Sequence, residues 1–236
     1  MLSVKLDVIA INSIEVHHLN KSFGSKKVLD NLNLTIKRDS IVAIVGSNGI
    51  GKSVFLNCLL NFMEYDSGEI KILNENHNDH NFLRTVTSFV SVDNQLHLEK
   101  VTGKEYFDLI ISIYNLPEES VVAKYTSLAE ELNVIKELDS IFSSLSFGTK
   151  KKIQLIGSIL YDPKVLVCDE IFEGLDHEAV NWVKAYFLKR KANGEATLFT
   201  SHIMDHTWDI SDCIYRLENG KLHSQKNEEM TERVAE

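Results

Sequence analysis

Residues 46–53 read Gly-Ser-Asn-Gly-Ile-Gly-Lys-Ser, a GxxxxGK[ST] pattern that directly follows the apolar run Ile41–Val45. Glycines at this spacing let successive backbone N–H groups, from Gly46, Ser47, Asn48, Gly49, Ile50 and Gly51 on to Val54, curl around a polyphosphate. Lys52 then reaches the β and γ phosphates, and the Ser53 hydroxyl can ligate an accompanying magnesium ion. The pattern needs a strand before it and a helix after it. Val54, Phe55, Cys58 and Leu59 supply the apolar stripe of that helix. A second group with suitable chemistry is Val165-Leu166-Val167-Cys168-Asp169-Glu170. A buried parallel strand here delivers two carboxylates at its C-terminal end, beside the phosphate loop. Asp169 is then placed to hold magnesium, and Glu170 to polarise the water that attacks a γ phosphate.

The elements that must position these groups are legible as hydrophobic patterns. Strand-like runs occur at 14–19, 32–36, 41–45, 69–73 and 88–92, and again at 165–168, 197–200 and 213–217. Phe107, Ile110, Ile111 and Tyr114 repeat as one face of a helix; a second helix is expected over 118–132. A third begins after Gly148 and stops at Asp162-Pro163. Glu218-Asn219-Gly220-Lys221 has the composition of a tight hairpin turn. The expectation is one α/β domain over residues 1–236, its middle interrupted by helices from about 96 to 160. The polar stretch 74–81 is read as a surface loop with solvent-facing histidines.

Composition narrows the classes. The chain has 236 residues, 44% of them hydrophobic and 25% charged, and no apolar stretch long enough to span a bilayer. It shows no secretory leader, which points to the cytosol. A net charge of −9 argues against a broad nucleic-acid surface, because such binding draws on Lys and Arg. The acidic tail from Glu228 to Glu236 is read as a solvated end. Cys58, Cys168 and Cys213 lack metal spacing and are read as small core residues. Lys150, Lys151 and Lys152 are read as a solvated helix start. Trp182 and Trp208 are expected to pack helix faces on the sheet, and His202 and His206 lack a third metal ligand.

Between the two phosphate-site elements lies Leu145-Ser146-Phe147-Gly148-Thr149. Here the chain resembles the ATP-binding subunits of ATP-binding-cassette (ABC) transporters, whose signature reads LSGGQ just before the aspartate-glutamate strand. Asp169-Glu170-Ile171-Phe172-Glu173-Gly174-Leu175-Asp176 is similar to the family's DEPxxxLD, Thr200-Ser201-His202 occupies the switch-histidine position, and Phe23 the place of the aromatic on which adenine stacks. The motifs run in order from about Ile14 to Leu222. The resemblance implies a P-loop NTPase core with an N-terminal antiparallel β subdomain and an inserted helical subdomain, using ATP and Mg2+. It implies that Glu170 and His202 are catalytic, that Ser146, Phe147 and Gly148 face the ATP of a second ATP-binding subunit, and that Asp176 contacts that subunit. A stacked Phe23 carries no hydroxyl, so discrimination between ATP and GTP should be loose.

Three positions depart from the family pattern. The glutamine-loop position falls on Asp93, with Gln95 two residues on; Asp93 is a further candidate magnesium ligand. Phe147 replaces the first signature glycine, and Ile171 replaces a proline. The resemblance further implies an integral-membrane permease partner and a place on the inner face of the cell membrane. The signature helix, the short C-terminus and the spacing after Thr102 point to the type-2 exporter group, which moves drugs, peptide antibiotics or polysaccharides, and away from the sugar importers. A groove lined by residues near 93–98 would receive a short helix of the permease. The alternatives are a soluble cassette ATPase of a cytosolic assembly complex, such as the iron-sulfur scaffold machinery, and a hydrolysis-deficient subunit paired with a competent homologue.

Overall fold

The computed structural model describes residues 12–92, 96–202 and 206–225. Strands β1 (Asn12–Phe23), β2 (Lys26–Lys37), β4 (Ser67–Ile72) and β5 (Glu75–Asn76) form an antiparallel sheet in the order β2-β1-β4-β5. A second sheet holds β3 (Ile41–Val45), β6 (Thr87–Val90), β7 (Val165–Cys168), β8 (Ala196–Ser201), β9 (Cys213–Glu218) and β10 (Lys221–Gln225), in the order β10-β9-β3-β8-β7-β6. Its pairs are parallel except β10 on β9. All five residues of β3 and all four of β7 are buried, as expected for central strands covered on both faces.

Helix α1 (Lys52–Leu59) follows the phosphate loop, and α2 (His80–Val86) lies between β5 and β6. Between β6 and β7 the chain runs through α3 (Gly103–Tyr114), α4 (Glu118–Glu131) and α5 (Phe147–Ile159). These three enclose a separate core of Phe107, Tyr125, Leu138, Phe142, Ile153 and Ile156, among others. Thr102 and Glu105 form a reciprocal capping box at the start of α3. Helix α6 (His177–Ala192) packs Val180, Val183 and Phe187 against the parallel sheet. The hairpin turn forms as expected: Glu218 pairs with Lys221, and Asn219 and Gly220 both take positive φ.

Several expectations need correction. The segment 74–81 is not wholly a loop: β5 pairs with β4, and Asp79 starts α2 by accepting from the N–H groups of Asn81 and Phe82. His77 is buried, its ring against Tyr65, because β5 folds the segment back onto the sheet. Cys213 is exposed, since the first residue of β9 points away from the core. Trp208 sits in a turn and not on a helix, partly buried against the core that the parallel sheet shares with α6. Trp182 does lie on α6, stacked on Tyr186, with its N–H donated to Glu131. Lys151 and Lys152 are buried, because the Lys151 ammonium finds two backbone carbonyls and a ring, and that of Lys152 one carbonyl and a carboxylate, in place of water.

Candidate active site

The phosphate loop spans the gap between β3 and α1. Gly49 and Gly51 take φ of +75° and +118°, and a Cβ on Gly51 would lie 2.8 Å from Val28 Cγ1, so both conformation and space call for glycine there. No side chain caps the start of α1, which leaves the N–H groups of its first turn for an anion.

Lys52 is 5% exposed and reaches back along the loop. Its ammonium donates to the carbonyls of Gly46 (2.7 Å) and Ser47 (3.2 Å) and pairs with Glu170 Oε1 at 2.9 Å. Ser53 donates its hydroxyl to Asp169 Oδ2 at 2.5 Å. The other Asp169 oxygen accepts from Thr200 Oγ1 at 2.5 Å, and that same oxygen of Thr200 receives the Glu170 N–H at 2.9 Å. Glu170 Oε2 meets the backbone N–H of His202 (3.0 Å) and its ring Nδ1 (2.8 Å). Burial works to raise the Glu170 pKa, but the bonds from Lys52 and His202 outweigh it and hold the carboxyl below its ordinary value. The lowered pKa keeps Glu170 ionised but weakens it as a base. Its geometry, with one oxygen fixed by a histidine and the other by a lysine that has alternative partners, therefore suits it to take up a water proton only once Lys52 moves away.

A hydroxyl and a carboxylate oxygen placed together at Ser53 and Asp169 form a hard oxygen donor set that fits magnesium. Among the described residues no cluster of three His, Cys, Asp or Glu side chains forms a metal site of its own. His206 lies against the ring of Phe172 and His202 against Glu170.

A cleft of about 560 Å³ opens over this constellation. Phe23, Lys26, Val28, Asn48, Glu170 and Glu173 are among its walls. Phe23 is half exposed, and the Lys21 ammonium lies 5.0 Å from its ring centroid. The structure thus brings together the predicted Phe23, Lys52, Ser53, Asp169, Glu170 and His202. It does not place the signature in the same cleft. Ser146 caps α5, accepting from the Thr149 N–H at 3.1 Å, and remains exposed. Gly148 abuts the backbone of Gly174, where an added Cβ would sit 2.3 Å from the carbonyl oxygen. The Phe147 ring folds back over Gly174 and over the Lys151 ammonium, 4.7 Å away. Asp176 caps α6 through the Ala179 N–H and pairs with Lys152 at 2.6 Å. Asp93 and Gln95 lie outside the described residues. Sequence reasoning missed Thr200 as the link between the two carboxylates; its signal was a hydroxyl residue at the end of β8, directly before Ser201 and His202. It also missed Lys151, whose burial shows no sequence signal.

The model of the ABC transporter family matches residues 29–173. The chain belongs to that family. Within it, the chain is similar to the galactose/methyl galactoside import ATP-binding protein MglA of Treponema denticola, with 27% identity over 214 residues, 89% of this chain and 43% of that protein. It is also similar to the bacitracin transport ATP-binding protein BcrA of Enterococcus faecalis, at 25% identity, covering 91% of this chain and 69% of the relative. The chain therefore spans less than half of the first and about two thirds of the second. A solved structure described as the ATP binding subunit of an ABC transporter superposes with a TM-score of 0.84 at 25% identity, covering 94% of this chain and 93% of that one. The chain is thus an ABC transporter ATP-binding domain with a mixed α/β P-loop core, and the cleft above Lys52 is lined by its phosphate loop.

Proposed function

We propose that this chain hydrolyses ATP to drive a separately encoded membrane permease, acting as one of a pair of ATP-binding subunits. The observation that carries the hydrolytic half is the Lys52–Glu170–His202 arrangement. Lys52 has loop carbonyls and a carboxylate as partners, all of which a triphosphate can replace. Its release frees one oxygen of Glu170 for a water while His202 keeps the other in place. Ser53 and Asp169 would hold magnesium, with Asp93 as a further candidate ligand; the ion supplies neutralisation of charge developing on the phosphate oxygens. Phe23 offers the base a stacking face. Gly46, Ser47, Asn48, Gly49, Ile50, Gly51 and Val54 line the phosphates with backbone N–H groups.

Ser146, Phe147 and Gly148 lie outside the chain's own cleft, which supports a role toward ATP on a second subunit, with Asp176 beside them. The single domain over 1–236 with a helical subdomain at about 96–160 is part of this reading. A groove between the core and α3 supports the permease partner. It holds about 340 Å³, is lined by Leu83, Phe89 and Tyr106, and leaves Phe62, Leu109 and Ile113 largely exposed. No helix among the described residues is long and apolar enough to cross a membrane; a place on the inner face of the cell membrane, through that partner, belongs to the same proposal. Export is the proposed direction. The signature helix and the spacing after Thr102 favour it, while the sugar import relatives point the other way and the bacitracin transport relative carries no direction in its name.

Steady-state phosphate release by the purified chain, beside Glu170→Gln, tests the hydrolytic half. The expected result is turnover by wild type and a loss of about 100-fold or more in the variant. Equal rates would remove Glu170 from the mechanism. For the partner, a photocrosslinker at Leu109 should capture a multispan membrane protein, and capture of soluble proteins alone would favour the cytosolic assembly reading.

A further inference from the structure

Lys151 is 3% exposed on α5, yet no part of the phosphate site requires a cation there. Its ammonium donates to the carbonyl oxygens of Glu170 (2.7 Å) and Glu173 (2.9 Å), the two ends of a turn that the Glu173 N–H closes onto the Glu170 carbonyl at 3.1 Å. Glu170 has φ of 47°, in the left-handed region that a residue with a Cβ adopts only when its surroundings hold it. Ile171 follows, so no proline ring fixes the next φ. On the other side of the ammonium, the Phe147 ring lies 4.7 Å away and packs on Gly174. Lys151 thus joins the backbone that carries Glu170 to the signature segment of the same chain.

We infer that Lys151 is a positioning residue for the Glu170 carboxylate, holding the 170–173 turn in the strained form that aims this side chain at the phosphate site. The inference rests on the proposed ATPase reading. Thr200 and His202 fix the amide and the carboxylate of Glu170; Lys151 fixes its carbonyl, and with it the direction in which the chain leaves the residue. A buried lysine with two carbonyl partners and an aromatic face is fully satisfied, so replacing it by an apolar side chain frees the turn without placing a new group in the cleft.

The test compares Lys151→Met with wild type, Glu170→Gln and the double variant, all assayed well below their melting temperatures. Loss of charge-assisted bonds to the turn should lower kcat about 10- to 100-fold. KM and the affinity for a non-hydrolysable ATP analogue should stay within about twofold, because Lys151 touches neither phosphate nor base. In the Glu170→Gln background the same substitution should cost nothing further, since the group it positions has been disarmed. A purely structural lysine would lower melting temperature and active fraction alone, leaving kcat per folded molecule unaltered and the two substitutions additive; either finding overturns the positioning role. If Lys151→Met does not fold, Lys151→Gln takes its place with the same readouts, and failure of both to fold assigns Lys151 to the fold alone. A wild-type protein that never turns over overturns the ATPase reading and the positioning role together. Turnover by wild type beside an unaltered Lys151→Met overturns only the second.

Discussion

Gly174→Ala should be costly for two separable reasons. Gly174 has φ of +75°, and a Cβ there would lie 2.4 Å from Cδ1 and 2.8 Å from Cε1 of Phe147. The left-handed backbone alone costs an alanine about 1–2 kcal/mol. Relief of the overlap must displace the Phe147 ring from its place 4.7 Å from the Lys151 ammonium, losing about 0.5–2 kcal/mol of cation–π attraction. The single variant is therefore expected to lose about 1.5–4 kcal/mol. In a Phe147→Ala background no ring remains to strike, and the same substitution should cost only the backbone share of about 1–2 kcal/mol. Chemical denaturation of the four proteins in the cycle measures the difference, predicted as a coupling of about 0.5–2 kcal/mol. Equal costs of Gly174→Ala in both backgrounds would refute the packing of Phe147 on Gly174.

Phe23→Ala should weaken ATP and GTP alike by about 1–3 kcal/mol, because stacking carries no base-specific hydrogen bond; calorimetry with the two nucleotides would contradict this if only one weakened. Chelation of magnesium should abolish turnover while the phosphate loop still retains nucleotide, and phosphate release in excess EDTA would rule out the Ser53–Asp169 assignment. Asp176 has its carboxyl held below the usual range by Lys152 and by the Ala179 N–H. A depressed folded pKa gives stability that is fully present above the unfolded value of 3.8 and is lost as pH falls through the folded one. Asp176→Asn keeps the helix cap but not the charge, so its deficit should be at most about 1 kcal/mol near neutrality and should vanish in acid. A deficit independent of pH would assign the loss to the cap.

The parts of the site that were legible in the sequence are those that local backbone demands fix. The phosphate loop needs its glycines, β3 and β7 need continuous apolar runs because both faces are covered, and the Asn219-Gly220 turn needs positive φ. Helix α2 escaped because Asn, Asp and His dominate its start, and its cap comes from Asp79 and not from an apolar period. Strands β1 and β2 extend well beyond their apolar runs. Their register shifts at bulges, with His18 and Asn31 at positive φ, and a bulge breaks the alternation that reveals a strand. Burial of Lys151 and Lys152 depends on carbonyls and a carboxylate 19–24 residues away in sequence, which no local pattern announces. Thr200 links the two carboxylates only once β7 and β8 lie side by side in register.

In the proposed cycle Glu170 directs cleavage of an ATP that also closes two subunits on each other. Light scattering of Glu170→Gln with and without ATP tests it most directly. The expected result is a monomer without nucleotide, a stable dimer with ATP and none with ADP, while wild type passes through the dimer only transiently. A Glu170→Gln protein that binds ATP and stays monomeric would contradict it.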